Sequence, residues 1–154
     1  MANKGNKFIV VLTESQLGWG EKRYTSSRNY RKGEAYLAIP RRIAQELELY
    51  NSNYKEGKDI LGINIFNCTS SDGKFICQFK SQGSKSAGDK YAKQFSVNDD
   101  LRALGNWYSE INARVGDQIE VYFTSPCDIC LTYLKSKYCL TLKISYYSIA
   151  ILNG

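Results

Sequence analysis

Residues 21–42 read "EKRYTSSRNYRKGEAYLAIPRR", and the fold turns on where the basic half gives way to the apolar half. Lys22, Arg23, Arg28, Arg31 and Lys32 crowd the first part with Ser26, Ser27, Asn29 and Tyr30, a composition without helical period that reads as a loop. From Glu34 the pattern changes. Ala35, Leu37 and Ile39 fall on one face of a strand and Tyr36 and Ala38 on the other, until Pro40 stops it. Proline suits a first helical turn, so "PRRIAQELELY" is expected to continue as a short helix burying Ile43, Ala44 and Leu47.

Outward from this junction the chain is mostly strand. "FIVVLT" (8–13) is a continuous β-favouring run and reads as a buried strand. After the polar turn "NSNYKEGK", "DILGINIFNC" (59–68) places Leu61, Ile63 and Ile65 on one face. "SSDG" is turn chemistry, and "KFICQFK" (74–80) alternates Phe75, Cys77 and Phe79 inward, so the two runs should form a hairpin. "SQGSKSAGDK" (81–90) is a second flexible basic stretch before the strand "AKQFSV". "NDDLRALGNWYSEI" opens with good N-cap residues and acids for a first turn, and Leu101, Leu104, Tyr108 and Ile111 keep helical spacing. "GDQIEVYFT" then alternates Ile119, Val121 and Phe123 against Gln118, Glu120 and Tyr122, and "SPCD" turns it into "ICLTYL" (129–134). The expected fold is mainly β with two short helices, an open, barrel-like sheet of seven strands over 1–134. The tail 135–154 reads as an extra strand or the start of a linker, with Leu140, Leu142 and Ile144 alternating.

Charge placement narrows the function. The 154 residues carry a formal net charge of +6. Segment 14–33 sets Lys22, Arg23, Arg28, Arg31 and Lys32 against Glu14 and Glu21, a net of +3. Segment 80–93 sets Lys80, Lys85, Lys90 and Lys93 against Asp89, again +3, so the rest of the chain is neutral. A surface that was merely soluble would interleave signs throughout. The chain has no histidine, which removes the commonest general base and zinc ligand and every histidine-activated nucleophile. Five irregularly spaced cysteines favour reduced thiols in the cytoplasm over a disulfide framework. No run reaches the roughly 18 apolar residues of a membrane span, and "MANKGNKF" lacks the apolar region of a signal peptide.

The element order and the two basic loops resemble the DNA-binding pseudobarrel of B3-like domains, found in plant transcription factors and in the effector or specificity domains of bacterial restriction endonucleases. "YLAIPRRIAQEL", and "RVGDQIEVYF" followed by "SPCDICLTYL", carry the resemblance, which covers residues 8–134. The restriction branch is nearest, and within it the recognition domain of an McrB-like, LlaJI-type system. The resemblance implies two arms that grip duplex DNA from either side of the major groove, an N-arm within 14–33 and a C-arm within 81–92. It also implies a non-catalytic module without a cofactor, whose nuclease or nucleotide-driven motor lies elsewhere.

Within those arms residue chemistry suggests roles. Arg28, Asn29 and Arg31 suit base reading, since arginine forks onto guanine and asparagine onto adenine. Lys22, Arg23 and Lys32 suit phosphates, and Ser26, Ser27 and Tyr30 suit backbone contacts. In the second arm Lys80, Gln82, Ser84, Lys85, Ser86 and Lys90 have the right types. Arg41 and Arg42 read equally as a solvated first turn or as phosphate contacts, and Trp19 reads as a loop anchor.

Other classes fit less well. A metal-dependent nuclease would need carboxylates and a lysine such as Asp59, Asp72 and Lys74, but "SSDGK" is hairpin chemistry. "CDIC" (127–130) is a lone CxxC without a second pair, and on an alternating strand its cysteines point apart. A single-stranded nucleic-acid binder or a transcription-regulatory barrel would also use basic grooves and the 12 tyrosines. A module for an acidic protein partner would explain the charge but not its division between two loops.

Overall fold

The computed structural model describes residues 2–20, 32–54, 64–84 and 88–136. Its elements, in order, are β1 (Lys7–Val11), α1 (Glu14–Leu17), β2 (Leu37–Ala38), α2 (Arg41–Glu46), β3 (Ile65–Ser70), β4 (Ile76–Gln82), β5 (Gln94–Val97), α3 (Ala103–Glu110), β6 (Gln118–Ser125) and β7 (Asp128–Leu134). The seven strands form one sheet in the order β1-β6-β7-β3-β4-β5-β2, which curls into a nearly closed barrel. Every pairing is antiparallel except β3 with β7.

The period-two runs behave as strands because one parity fills the barrel. Ile119, Val121 and Phe123 of β6 are fully buried, as are Leu37 and, on β4, Phe79. The Phe79 and Phe95 rings stack at 5.2 Å, and Phe66 meets Phe95 and Phe123 edge-on at 5.6 and 6.0 Å. The β3–β4 hairpin forms as expected, with Cys68 opposite Cys77.

Four expectations are corrected. β1 is not a buried strand: Phe8 and Val10 are inside, but Ile9 and Val11 stay 49 % and 51 % exposed, because a barrel wall buries one face only. On β3 the inward set is Phe66, Cys68 and Ser70 while Ile65 is only half-buried, so the parity is opposite to the expected one. The aromatic contacts of Phe66 decide it, and Leu61 and Ile63 lie outside the described residues. A third helix, the single turn α1, stands inside the segment read as wholly irregular, with the Thr13 hydroxyl capping Gln16 N. Finally, α3 starts at Ala103, so Asp99 and Asp100 form the turn before it and not its first turn. The α3 face includes Trp107, stacked on Phe75 at 5.3 Å, which the helical spacing had not singled out. The extra strand expected at 138–152 lies outside the described residues.

Gln16 explains how the barrel closes where β1 and β2, the two ends of the strand order, share no ladder among the described residues. Its side chain is 2 % exposed. Nε2 donates to the Val11 carbonyl at 3.1 Å, and Oε1 accepts from Ala38 N at 2.9 Å. Its own carbonyl accepts from Tyr36 N at 3.2 Å. A glutamine amide carries both donor and acceptor, so it can stand in for a missing rung of sheet.

Near the same end of β1, beside Leu12, Asp117 is buried and ties three segments together. It accepts from Arg114 N (2.8 Å), the Tyr133 hydroxyl (2.5 Å) and Ser136 N (2.9 Å). Burial pushes its carboxyl up, but the hydrogen bonds from Tyr133, Ser136 and Arg114 outweigh this and hold it below the ordinary aspartate value. A depressed folded-state pKa contributes stability above the unfolded value of about 4, and that stability is lost as pH falls through the folded value. Urea midpoints should therefore decline as pH is lowered below about 4. Asp117→Asn should be less stable at pH 7 and show a shallower acid limb; an unaltered limb would assign the titration to other carboxylates.

Candidate nucleic-acid interface

Because Phe79 and Ser81, Phe95 and Val97, and Leu37 point inward, the opposite parity of β4, β5 and β2 forms an outer face. Lys80 lies opposite Ser96, Gln82 opposite Gln94, and Gln94 opposite Ala38. Both basic loops spring from this face: one enters β2 through Lys32 and Gly33, and the other joins β4 to β5. Between their roots runs a groove of about 550 Å³ whose lining includes Glu34, Lys80, Gln82, Asp99, Asp100 and Arg102.

The first loop is pinched at its base, where Gly20 N donates to the Glu34 carbonyl at 3.2 Å. Trp19 stands edge-on to Tyr36 at 5.0 Å, which supports the anchor reading for this residue. Residues 14–20 are thus tied to the segment around β2 and are not part of a free loop. The loop's exit is fixed by α3. A methyl group built on Gly105 would lie 2.0 Å from the Gly33 carbonyl oxygen, so helix and chain approach as closely as two backbones can. Lys32 is exposed at this exit. Lys22, Arg23, Ser26, Ser27, Arg28, Asn29, Tyr30 and Arg31 lie outside the described residues.

The second loop is clamped by Asn51, which is 1 % exposed. Its Oδ1 accepts from Gly83 N and from Asn53 N, both at 2.8 Å. Its Nδ2 donates to the carbonyls of Asp89 (3.1 Å) and Ser84 (3.4 Å), and its main-chain N donates to Lys90 O (2.8 Å). One amide thus holds both stems of the loop. Ser52 adds bonds to Ser81 O, and Asn53 Nδ2 donates to Gly83 O at 2.8 Å. Across the stem Asp89 accepts from Tyr91 N and pairs with Arg41 and with Lys93, at 3.8 Å for the latter. The Tyr91 amide first, and then Arg41, hold its carboxyl below the usual value.

Among the proposed contact residues, Lys80 and Gln82 sit half-buried on the floor, while Ser84 and Lys90 are exposed on the stems. The Lys90 ammonium lies 5.2 Å from the centre of the Tyr91 ring. Lys85 and Ser86 lie outside the described residues. Arg41 and Arg42 are both internally engaged, Arg41 with Asp89 and Arg42 with Glu46 at 3.3 Å. Asn51 and Asp89 were not singled out from sequence; the only signal was the triple polar run "NSN" between apolar segments.

The carboxylate considered for a nuclease is employed structurally. Asp72 accepts from the Ser70 hydroxyl, Lys74 N and Trp107 Nε1, and these bonds, Ser70 first, hold it below the usual value. Asp59 lies outside the described residues. Cys127 sits in the turn before β7, so strand alternation does not govern it, and Cys68, Cys77, Cys127 and Cys130 are all free thiols. Burial, with a contribution from Cys77, pushes the Cys68 thiol well up, as befits a packing residue. Among the described residues no three potential ligands cluster around a metal site, and no helix is long and apolar enough to cross a membrane.

The family described as the NgoFVII C-terminal B3-like DNA-binding domain matches residues 3–126, a span that takes in both loops and the strands that root them. No curated protein matches the chain.

Proposed function

Because the chain belongs to the NgoFVII C-terminal B3-like DNA-binding family, we propose that it reads a specific site in duplex DNA, its two basic arms entering the major groove from either side. In this reading it is the target-recognition part of a cytoplasmic restriction system. The nuclease, or a nucleotide-driven motor as in an McrB-like, LlaJI-type system, resides in another domain or subunit. The observation that carries the reading is the coincidence of charge and geometry: two segments of +3 each, with the remainder neutral, rooted on one sheet face. Charge placed this way steers a polyanion toward a single cleft.

Mobility-shift titration against random duplexes tests it directly. Failure to bind at low salt, or a preference for single strands at every salt concentration, would sink the proposal. Divalent-metal-dependent cleavage by this chain alone would bring back Asp59, Asp72 and Lys74 as a nuclease set. Arg28→Ala and Arg31→Ala should relax preference at individual base pairs, by about 1–3 kcal/mol for a lost bidentate contact. Lys32→Ala should instead weaken all duplexes alike and lower the salt slope by about 0.9. Unchanged specificity in both arginine variants would move base reading out of the N-arm.

A further inference from the structure

The base of the second loop gathers cations from outside the loop itself. Arg41, at the start of α2, reaches across to Oδ2 of Asp89 on the stem, and the Lys93 ammonium approaches the same oxygen at 3.8 Å. A main-chain bond from Ile39 N to Lys93 O, 2.9 Å long, keeps the approach to α2 beside the start of β5. The other oxygen of Asp89 accepts from Tyr91 N at 3.1 Å. Lys90 adds a third cation, its ammonium 5.2 Å from the Tyr91 ring, and that ring stacks on Tyr50 at 5.9 Å. Two cations therefore share one carboxylate oxygen, with a third beside them.

Exposure separates the two signs. The side chains of Arg41 and Lys93 are 60 % and 54 % exposed, whereas that of Asp89 is 17 % exposed, so solvent meets the cations far more than the anion. Exposed ion pairs add little stability, so the fold alone is a poor account of the arrangement. The next residue supplies the contrast: Arg42 pairs one to one with Glu46 at 3.3 Å, and that pair is neutral. Arg41 is also ordered in advance. Asp89 is fixed by Tyr91 N and, through its carbonyl, by Asn51 Nδ2 at 3.1 Å, and it holds the long arginine side chain by one Nη. The rest of that guanidinium fork suits a phosphate, whose oxygens accept two parallel hydrogen bonds. Ordering the side chain beforehand lowers the entropy cost of the contact.

We infer that Arg41 and Lys93, with Lys90, form a phosphate grip at the root of the second loop, closing on the duplex backbone that passes it. The inference rests on the reading of the chain as a duplex-DNA reader, and it extends the contact surface from the two loops to the start of α2. Phosphate contacts carry no sequence information, so the grip sets register and affinity while bases are read elsewhere.

Duplex titrations across a salt series test it on the full chain, with Lys93→Ala, the double variant Arg41→Ala/Asp89→Asn, and Arg42→Ala. Removing Arg41 alone would unmask Asp89, so the double variant deletes the pair without changing the net charge. Thermal melts verify that each variant is folded. Lys93→Ala and the double variant should each weaken all duplexes alike and lower the salt slope by about 0.9. Arg42→Ala should keep the wild-type slope. A wild-type slope in either Lys93→Ala or the double variant would overturn the grip while leaving duplex reading intact. An equal fall in Arg42→Ala would overturn it too, since any surface cation would then count. A wild type that binds no duplex would overturn both.

Discussion

Asn51→Ala is expected to destabilise the domain by about 3 kcal/mol and to weaken duplex binding at the same time. Its amide meets Gly83, Ser84 and Asp89 on the two stems of the second basic loop and Asn53 beside them. Truncation removes the buried partner of the Gly83 N–H and of the carbonyls of Asp89 and Ser84. Asn51→Asp supplies a control, because it keeps an acceptor for Gly83 and Asn53 but loses the donor to Asp89 and Ser84. Its destabilisation should match or exceed that of alanine, because a buried carboxylate oxygen would then face those two carbonyl oxygens. Urea midpoints and duplex titrations read both effects. Wild-type stability in the alanine variant would mean that the clamp is redundant with the bonds from Ser52 and Asn53.

Gly105→Ala should also be damaging, against the usual sign. In an ordinary helix interior alanine gains about 1 kcal/mol over glycine. Here the added methyl would stand 2.0 Å from the Gly33 carbonyl oxygen and 3.0 Å from its carbon. Both obstacles are backbone, so no rotamer relieves them, and either α3 or the N-arm exit must shift. The expected loss is about 3 kcal/mol, at the upper end of overpacking costs. Thermal melting checks the size, and DNA titration tells which part yields: a displaced arm exit lowers affinity more than stability. A variant that melts higher than wild type would refute the close approach.

These two residues illustrate what could be read from the chain and what could not. The alternation of Ile119, Val121 and Phe123 announced β6, and Ala35, Leu37 and Ile39 announced the segment containing β2, because an inward parity leaves its mark in neighbouring residues. The two basic loops stood out for a similar reason, as their charge is local and the rest of the chain is balanced. Gln16, Asn51 and Gly105 were not legible. Their partners lie far along the chain, at Ala38, Gly83 and Gly33, and no local period encodes a single long-range bond. The β3 parity failed because Ile65 and Phe66 are both apolar, and only the ring contacts across the barrel decide between them. The parallel pairing of β3 with β7 was equally silent, since each strand's own pattern fits either direction. The acids at Asp99 and Asp100 were read as helix-capping chemistry, and their place in the groove became visible only when α3 was found to start later.

The amide of Gln16 has one more consequence. Elsewhere around the barrel, neighbouring strands are joined by ladders such as the five-rung register between β1 and β6, but at this seam the Gln16 side chain and a few single hydrogen bonds span the gap. Such a ring has the mechanics of a split collar. Widening it strains a few hydrogen bonds worth about 1 kcal/mol each, not an entire ladder. Gly20, bonded to the Glu34 carbonyl, and Lys32 both stand beside this seam, so the two described ends of the first basic loop are rooted next to it. The roots of that loop therefore sit beside a joint closed by single hydrogen bonds, where the barrel can yield without unzipping a strand.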